Sequence, residues 1–250
     1  REVVRPLALL PMRGFEEMGR RVNEYLLRWT TDPESDTLLT FPGFDKNSFI
    51  IEAECPRFGT GEAKGMIRSS VRGYDLYILC DVTNYSVTYP MYGIQSHMSP
   101  DDHFADLKRL IAACGNKPHR INVIMPFLYE GRQHRRNGRE SLDCAIAIQE
   151  LYRLGVDNII TFDAHDPRVV NAAPMNNFES VQPIYQILKA LLKARPDVII
   201  DKEKTMIISP DEGAAPRNIY FSSMLGLNMG MFYKRRDYSV IVNGRNPIVA

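Results

Sequence analysis

Short apolar runs alternate along the chain with amphipathic stretches of helical period, and polar turns separate them. Residues 7–12 predict a strand, and 16–29 predict a helix with Met18, Val22, Tyr25, Leu26 and Trp29 at helical spacing. The polar 30–48 segment, with Pro33, Pro42 and Gly43, reads as a surface insertion. Strands are expected at 49–54 and 75–82, with a glycine-rich loop between them and an aromatic loop over 83–98. The next helix is well signalled. Ser99 can cap it, Pro100 suits its first turn, and Asp101 and Asp102 favour the positive end of its dipole. Phe104, Leu107, Leu110, Ile111 and Cys114 form its apolar face, and Gly115 ends it. A strand at 120–126, a helix at 141–154 and a strand near 159–162 follow. A second unit opens near Pro174, with a helix at 181–193 whose Ile184, Ile187, Leu188, Leu191 and Leu192 share a face. Strand 205–209, a short helix and strand 228–233 complete it. Repeated strand–loop–helix units with polar loops after the strands predict a parallel α/β architecture of two stacked domains, divided near residue 172.

Composition narrows the function without choosing it. The 250 residues suffice for one large or two modest domains, each with a real core. With 31 basic and 30 acidic residues the net charge is +1, so no broad field selects nucleic acid or a membrane surface, and anion recognition must be local. No apolar run reaches membrane-spanning length, and no signal-peptide pattern opens the chain. The four scattered cysteines lack metal-ligand spacing and read as reduced residues of a cytoplasmic protein. The first residue is Arg1, and neither a final helix nor a polar tail precedes Ala250, so both ends look cut.

Chemistry-bearing residues gather after the strands, where open α/β sheets bind ligands. At 159–168 a β-branched strand runs into Asp163, His165 and Asp166, a cluster suited to a divalent cation or proton transfer, or to turn geometry alone. Arg57–Glu62 offers an aromatic ring and close backbone approach for a purine. It lacks the lysine and following helix of a P-loop, so a plain turn is the competing reading. Residues 132–139 hold four arginines in eight positions, able to fork onto phosphates or to remain a solvated charged loop. Ser209–Ala214 is a strand-to-helix turn whose N–H groups could hold pyrophosphate and whose Asp211 could reach Mg2+, or it is a helix cap. Lys234 and Arg236 would share a side of an extended chain and could close over a transferring phosphoryl group, or form an exposed basic turn. Together, in this order, the loops point to magnesium nucleotide chemistry.

The stretches RFGTGE with SVRGYDLYIL, MPFLYEGRQ, GVDNIITFDAHD, ISPDEGA and FYKRRD occur in the order found in ribose-phosphate pyrophosphokinases, and the chain resembles that family from about Phe58 to Ala250. The resemblance implies two phosphoribosyltransferase-like domains, 1–172 and 173–250, the second incomplete. It also implies transfer of pyrophosphate from MgATP to ribose 5-phosphate, giving phosphoribosyl pyrophosphate and AMP for nucleotide biosynthesis. Phe58, Thr60, Gly61 and Glu62 would then lie in an adenine loop, with Arg132 and Gln133 on the nucleotide. His165 and Asp211 would serve magnesium, with Asp163 orienting its surroundings. Asp211, Glu212, Gly213, Ala214 and Arg236 would meet the pyrophosphate and ribose phosphate, and Lys234 and Arg236 would stabilise the transition state from a flexible loop. Dimers assembling into a hexamer, with the ATP site completed by a neighbouring subunit, are implied as well; nucleic acid and membrane are not.

The sequence departs from the family pattern in several places. Thr60 stands where the family has an aspartate, and His134-Arg135-Arg136-Asn137 replaces an Asp-Lys continuation. Glu212 and Ala214 alter an Asp-Ala-Gly-Gly turn, and Asp-Ala-His-Asp stands for Asp-Leu-His. The ribose-phosphate loop, a pair of aspartates before a Thr-Gly-rich turn, is absent and is expected beyond Ala250, which implies poor activity for the chain as given. A non-catalytic, nucleotide-binding associated subunit is the alternative, against which the presence of Lys234, Arg236 and His165 argues. A phosphoribosyltransferase is the third reading, disfavoured because it requires neither two stacked units nor an adenine loop.

Overall fold

A computed structural model describes residues 5–31, 46–233, 235–236, 239, 241 and 248–249. The expected 30–48 insertion therefore falls largely outside the described residues. The chain forms two compact units, Arg1–Gln182 and Pro183–Ala250.

In the first unit, β1 (Leu7–Pro11) leads into helix α1 (Glu16–Thr31), and the short strands β2 (Ala53–Glu54) and β3 (Met66–Ile67) pair with each other. Strand β4 (Asp75–Leu79) follows, then β5 (Thr88–Met91) and β6 (Ile94–His97), helix α2 (Pro100–Cys114), β7 (Arg120–Ile124), helix α3 (Asp143–Arg153), β8 (Asn158–Phe162) and β9 (Asn177–Val181). The sheet order is β1-β4-β7-β8-β9 and every pairing in it is parallel. Strands β1, β4, β7 and β8 are largely apolar, as suits a parallel sheet, while the edge strand β9 is partly exposed. Leu10, Leu76, Ile78, Val123 and Ile159 are wholly buried.

Four expectations change. The expected 49–54 strand divides into the two-residue β2 and a bridge at Ile50, the latter joined to β1 by Leu9 N–H to Phe49 C=O and Ile51 N–H to Leu9 C=O. The next β1 residue facing that edge is Pro11, which has no N–H, so the ladder stops and the chain turns away into β2. The expected aromatic loop contains the β5–β6 hairpin. The boundary lies about ten residues later than expected, at Gln182/Pro183, because β9 completes the first sheet by pairing with β8. Helix α1 also turns a different stripe inward. Gly19 packs on the Pro11 ring and Asn23 accepts the Phe49 N–H at 2.8 Å, which leaves Met18, Tyr25 and Trp29 exposed.

Helix α2 matches its sequence signals. Ser99 and Asp102 form a capping box, Gly115 closes the helix at φ 58°, and all five expected apolar residues are buried. Such a cap contributes about 1 kcal/mol.

The second unit comprises α4 (Ile184–Ala194), β10 (Met206–Ser209), α5 (Ala215–Leu225) and β11 (Asn228–Met231), followed by β12 (Arg235–Arg236) and β13 (Ile248–Val249). Strands β10 and β11 are parallel; β12 and β13 are antiparallel. On α4, Ile184 and Leu188 are buried while Ile187, Leu191 and Leu192 are exposed, so the inward stripe is narrower than the apolar pattern suggests. No helix among the described residues is long and apolar enough to cross a membrane.

All four cysteines are free thiols, three of them buried. Burial pushes Cys55 up to about 12 and Cys114 and Cys144 up to about 11. Burial disfavours the thiolate, so reactivity should appear only as pH rises towards those values. Labelling with a disulfide reagent at pH 8 is expected to be slow for the native chain and rapid once urea unfolds it. Fast native labelling at pH 8 would contradict the packing around these thiols.

Candidate functional site

In the first unit the site builds from the carboxyl ends of β7 and β8. Met125 N–H donates to Ile160 C=O, while Phe162 N–H and the Thr161 hydroxyl both donate to Pro126 C=O. These bonds hold the two strand ends side by side before their loops diverge. In the loop after β7, Arg132 is exposed and lies over the Phe127 ring at 5.7 Å. Gln133 is tied through its backbone, donating to Glu130 C=O at 2.8 Å and accepting from Cys144 N–H at 3.3 Å. Its side-chain Oε1 is buried without a partner among the described residues. Arg135, Arg136 and Arg139 are exposed.

The turn after β8 is pinned to β9. Asp163, at φ 47°, donates its N–H to Val181 C=O, and Ala164 N–H donates to the Ser180 hydroxyl. His165 is consequently exposed at the strand end, while Asp166 is buried and caps the 3-10 turn Pro167–Ala172. Hydrogen bonds from the Arg168 guanidinium, and the nearby His134, hold the Asp166 carboxyl well below the usual carboxylate range.

His134 was part of the basic run in sequence but had no role there. In the fold its Nδ1 stands 3.2 Å from Asp166 Oδ2, and its ring centroid lies 5.4 Å from that of His165. This side chain fastens the arginine loop to the β8 turn. The signal in sequence was the departure itself, His134-Arg135-Arg136-Asn137 in place of the Asp-Lys continuation that the resemblance implies.

The Arg57–Glu62 loop is a closed turn. Phe58 N–H donates to Glu62 C=O, Gly61 N–H donates to Phe58 C=O, and the Thr60 hydroxyl donates to Glu62 Oε2 at 2.9 Å. Gly61 sits at φ 92°, a conformation in which a side chain is strained. Phe58 is left 54% exposed. Arg57 takes no part in that open surface: it forks onto both Asp106 oxygens at 2.8 and 2.9 Å and is as buried as its partner.

In the second unit, Ser209 is fully buried, donates to Asp211 C=O at 2.7 Å and accepts from the Asn218 amide. Asp211 Oδ1 accepts from Ala214 N–H at 3.0 Å. No side chain caps α5; Ala215 N–H donates to Glu212 C=O, and Pro216 in the first turn has no N–H. Lys234 lies outside the described residues; Arg236 is in an extended segment, its side chain outside them. Among the described residues no three His, Cys, Asp or Glu side chains come together as a metal cage.

A family model for the N-terminal domain of ribose phosphate pyrophosphokinase matches residues 7–155. The chain is 23% identical over 190 residues to a ribose-phosphate pyrophosphokinase of Aquifex aeolicus, covering 75% of this chain and 54% of that protein. It is 27% identical over 191 residues to ribose-phosphate pyrophosphokinase 1 of Candida albicans, covering 75% and 53%. It thus spans about half the length of these curated relatives. Among solved structures, phosphoribosylpyrophosphate synthetase from Mycobacterium smegmatis shares its fold, with a TM-score of 0.68 at 17% identity over 98% of this chain and 67% of that one.

Proposed function

The chain belongs to the ribose-phosphate pyrophosphokinase family, and on that premise we propose that it serves pyrophosphoryl transfer from MgATP to ribose 5-phosphate, yielding phosphoribosyl pyrophosphate and AMP. The observation that carries this reading is the junction of two expected ligand loops at neighbouring strand ends. His134 ties the Arg132–Gln133 loop to the turn bearing His165. A nucleotide held by the first loop would thus place its phosphates near the second.

The residues fit the ligands. The exposed Arg132 guanidinium suits a phosphate, and the unsatisfied Gln133 Oε1 is an acceptor of the kind an exocyclic amine satisfies. Phe58 presents an open ring for a base, with Thr60, Gly61 and Glu62 shaping the turn beneath it. Magnesium keeps several waters and takes one or two protein ligands beside substrate phosphates, so a three-residue cage is not required. His165 and Asp211 are proposed to serve magnesium ions, each within its own unit, and the ions' chemistry would be to neutralise phosphate charge. The turn from Asp211 through Glu212 and Gly213 to Ala214, with Arg236, would cradle pyrophosphate and sugar phosphate.

In the reaction, the 1-hydroxyl of ribose 5-phosphate attacks the β-phosphorus, the α–β bridging P–O bond breaks, AMP leaves and the hydroxyl proton is lost. Lys234 and Arg236 are the proposed cations that meet the developing charge. A cytoplasmic homo-oligomer is part of the same proposal. The direct test is AMP formation from MgATP that depends on ribose 5-phosphate. MgATP binding with no AMP formed under any sugar phosphate would favour a nucleotide-binding associated subunit instead.

A further inference from the structure

The β5–β6 hairpin stands apart from the strand–helix pattern that builds the first unit. It leaves the chain between β4 and α2 and carries its own small core of Val87, Tyr89 and Met98, with Met91 packed against it. Its turn is Tyr92-Gly93, at φ 49° and 79°, the left-handed pair that two-residue hairpin turns require.

Its base is fastened to the body of the unit. Arg13 donates to Thr88 C=O at 2.8 Å, and the Tyr89 hydroxyl donates to Asp102, the partner of Ser99 in the α2 capping box. Its tip lies on the glycine loop. Tyr92 N–H donates to Gly59 C=O at 2.8 Å. A Cβ on Gly61 would stand 2.9 Å from Met91 Sδ and 3.4 Å from the Tyr89 ring, so the loop backbone rests directly on the hairpin. Arg57, at the start of the loop, stacks over Tyr89 at 4.6 Å. The loop is therefore gripped at its first, third and fifth residues (Arg57, Gly59 and Gly61), while Phe58 between them stays open.

We propose that the β5–β6 hairpin is a positioning element for the nucleotide base, holding the Arg57–Glu62 turn so that Phe58 is presented in one place. This rests on the nucleotide-binding reading above. A loop already ordered loses little freedom when a base stacks on it, and that saving appears as affinity. The positioning residues are Met91 and Tyr92, the latter through its backbone.

The test is a shortened hairpin in the full chain, replacing Pro90–Gln95 by Asn-Gly so that the paired residues Tyr89 and Ser96 flank the new turn. Two quantities are read: hydrogen exchange at the Phe58 and Gly61 amides, and MgATP affinity by calorimetry. Exchange at least tenfold faster at both amides, with a dissociation constant raised about tenfold, is the expected pair. Unchanged exchange overturns the grip, and faster exchange with unchanged affinity overturns its role in base binding. If the shortened chain does not fold, Met91→Ala, which removes the hairpin side chain on which Gly61 rests, is read the same way. A wild-type chain that binds no MgATP overturns the functional reading before any hairpin variant is compared, whereas the exchange data address the grip independently.

Discussion

Replacing Asp106 by alanine is expected to destabilise the chain by about 3–5 kcal/mol, read as a lower urea midpoint. Asp106 and Arg57 are 6% and 5% exposed and bond through both carboxylate oxygens. Arg109 adds a third cationic contact at 2.6 Å. The pair's net contribution is modest, because both ions are stripped of water to form it. The large effect comes from breaking it, which strands the Arg57 charge in a low-dielectric site. Among the described residues Arg57 Nε already lacks a partner, and the Tyr89 ring and Met98 sulfur that Arg57 also meets do not replace a carboxylate. Replacing both partners, Arg57→Met with Asp106→Leu, should recover much of the loss, since the deeply buried charge is gone and Arg109, 30% exposed, can turn to water. A loss below about 1 kcal/mol for Asp106→Ala would show that water reaches Arg57 and that the pair is not the anchor of the glycine loop.

Lys234→Ala is expected to lower AMP release about a thousandfold or more while leaving MgATP affinity nearly unchanged. The asymmetry follows from where the charge acts. A cation that meets phosphate oxygens only as the α–β bond breaks stabilises the transition state and adds little to ground-state binding. Single-turnover AMP release and calorimetric ATP binding, both on the protein as its native source makes it, separate the two quantities. Unchanged turnover would remove Lys234 from catalysis. A parallel loss of ATP binding would make it a ground-state phosphate ligand instead.

Much of the first unit is legible from local signals. Helix α2 is written in its cap, its dipole-matched aspartates, its apolar stripe and its closing glycine, all within a few residues of one another. Strands β1, β4, β7 and β8 are equally legible as apolar runs, because burial on both faces leaves little choice of residue, whereas the edge strand β9 reads as polar and is not legible. The post-strand loops with Arg132, His165 and Asp211 follow from that alternation.

Pairings between residues far apart in sequence were not legible. Arg57 looks like one more basic loop residue until Asp106, 49 positions on, is seen beside it. The hairpin reads as an aromatic loop because its alternation is broken by Pro90 and its core is only three residues. Helix α1 buries Gly19 and Asn23 in place of Met18 and Trp29, since close approach to Pro11 and a backbone partner at Phe49 outweigh side-chain hydrophobicity. Sequence by itself determined the α/β class and the main elements, because propensity, capping and periodicity act over a few residues. Only the tertiary structure decided which loops are tied together, by His134 on Asp166 and Tyr92 on Gly59, because those contacts exist only once the strands have set the distance between them.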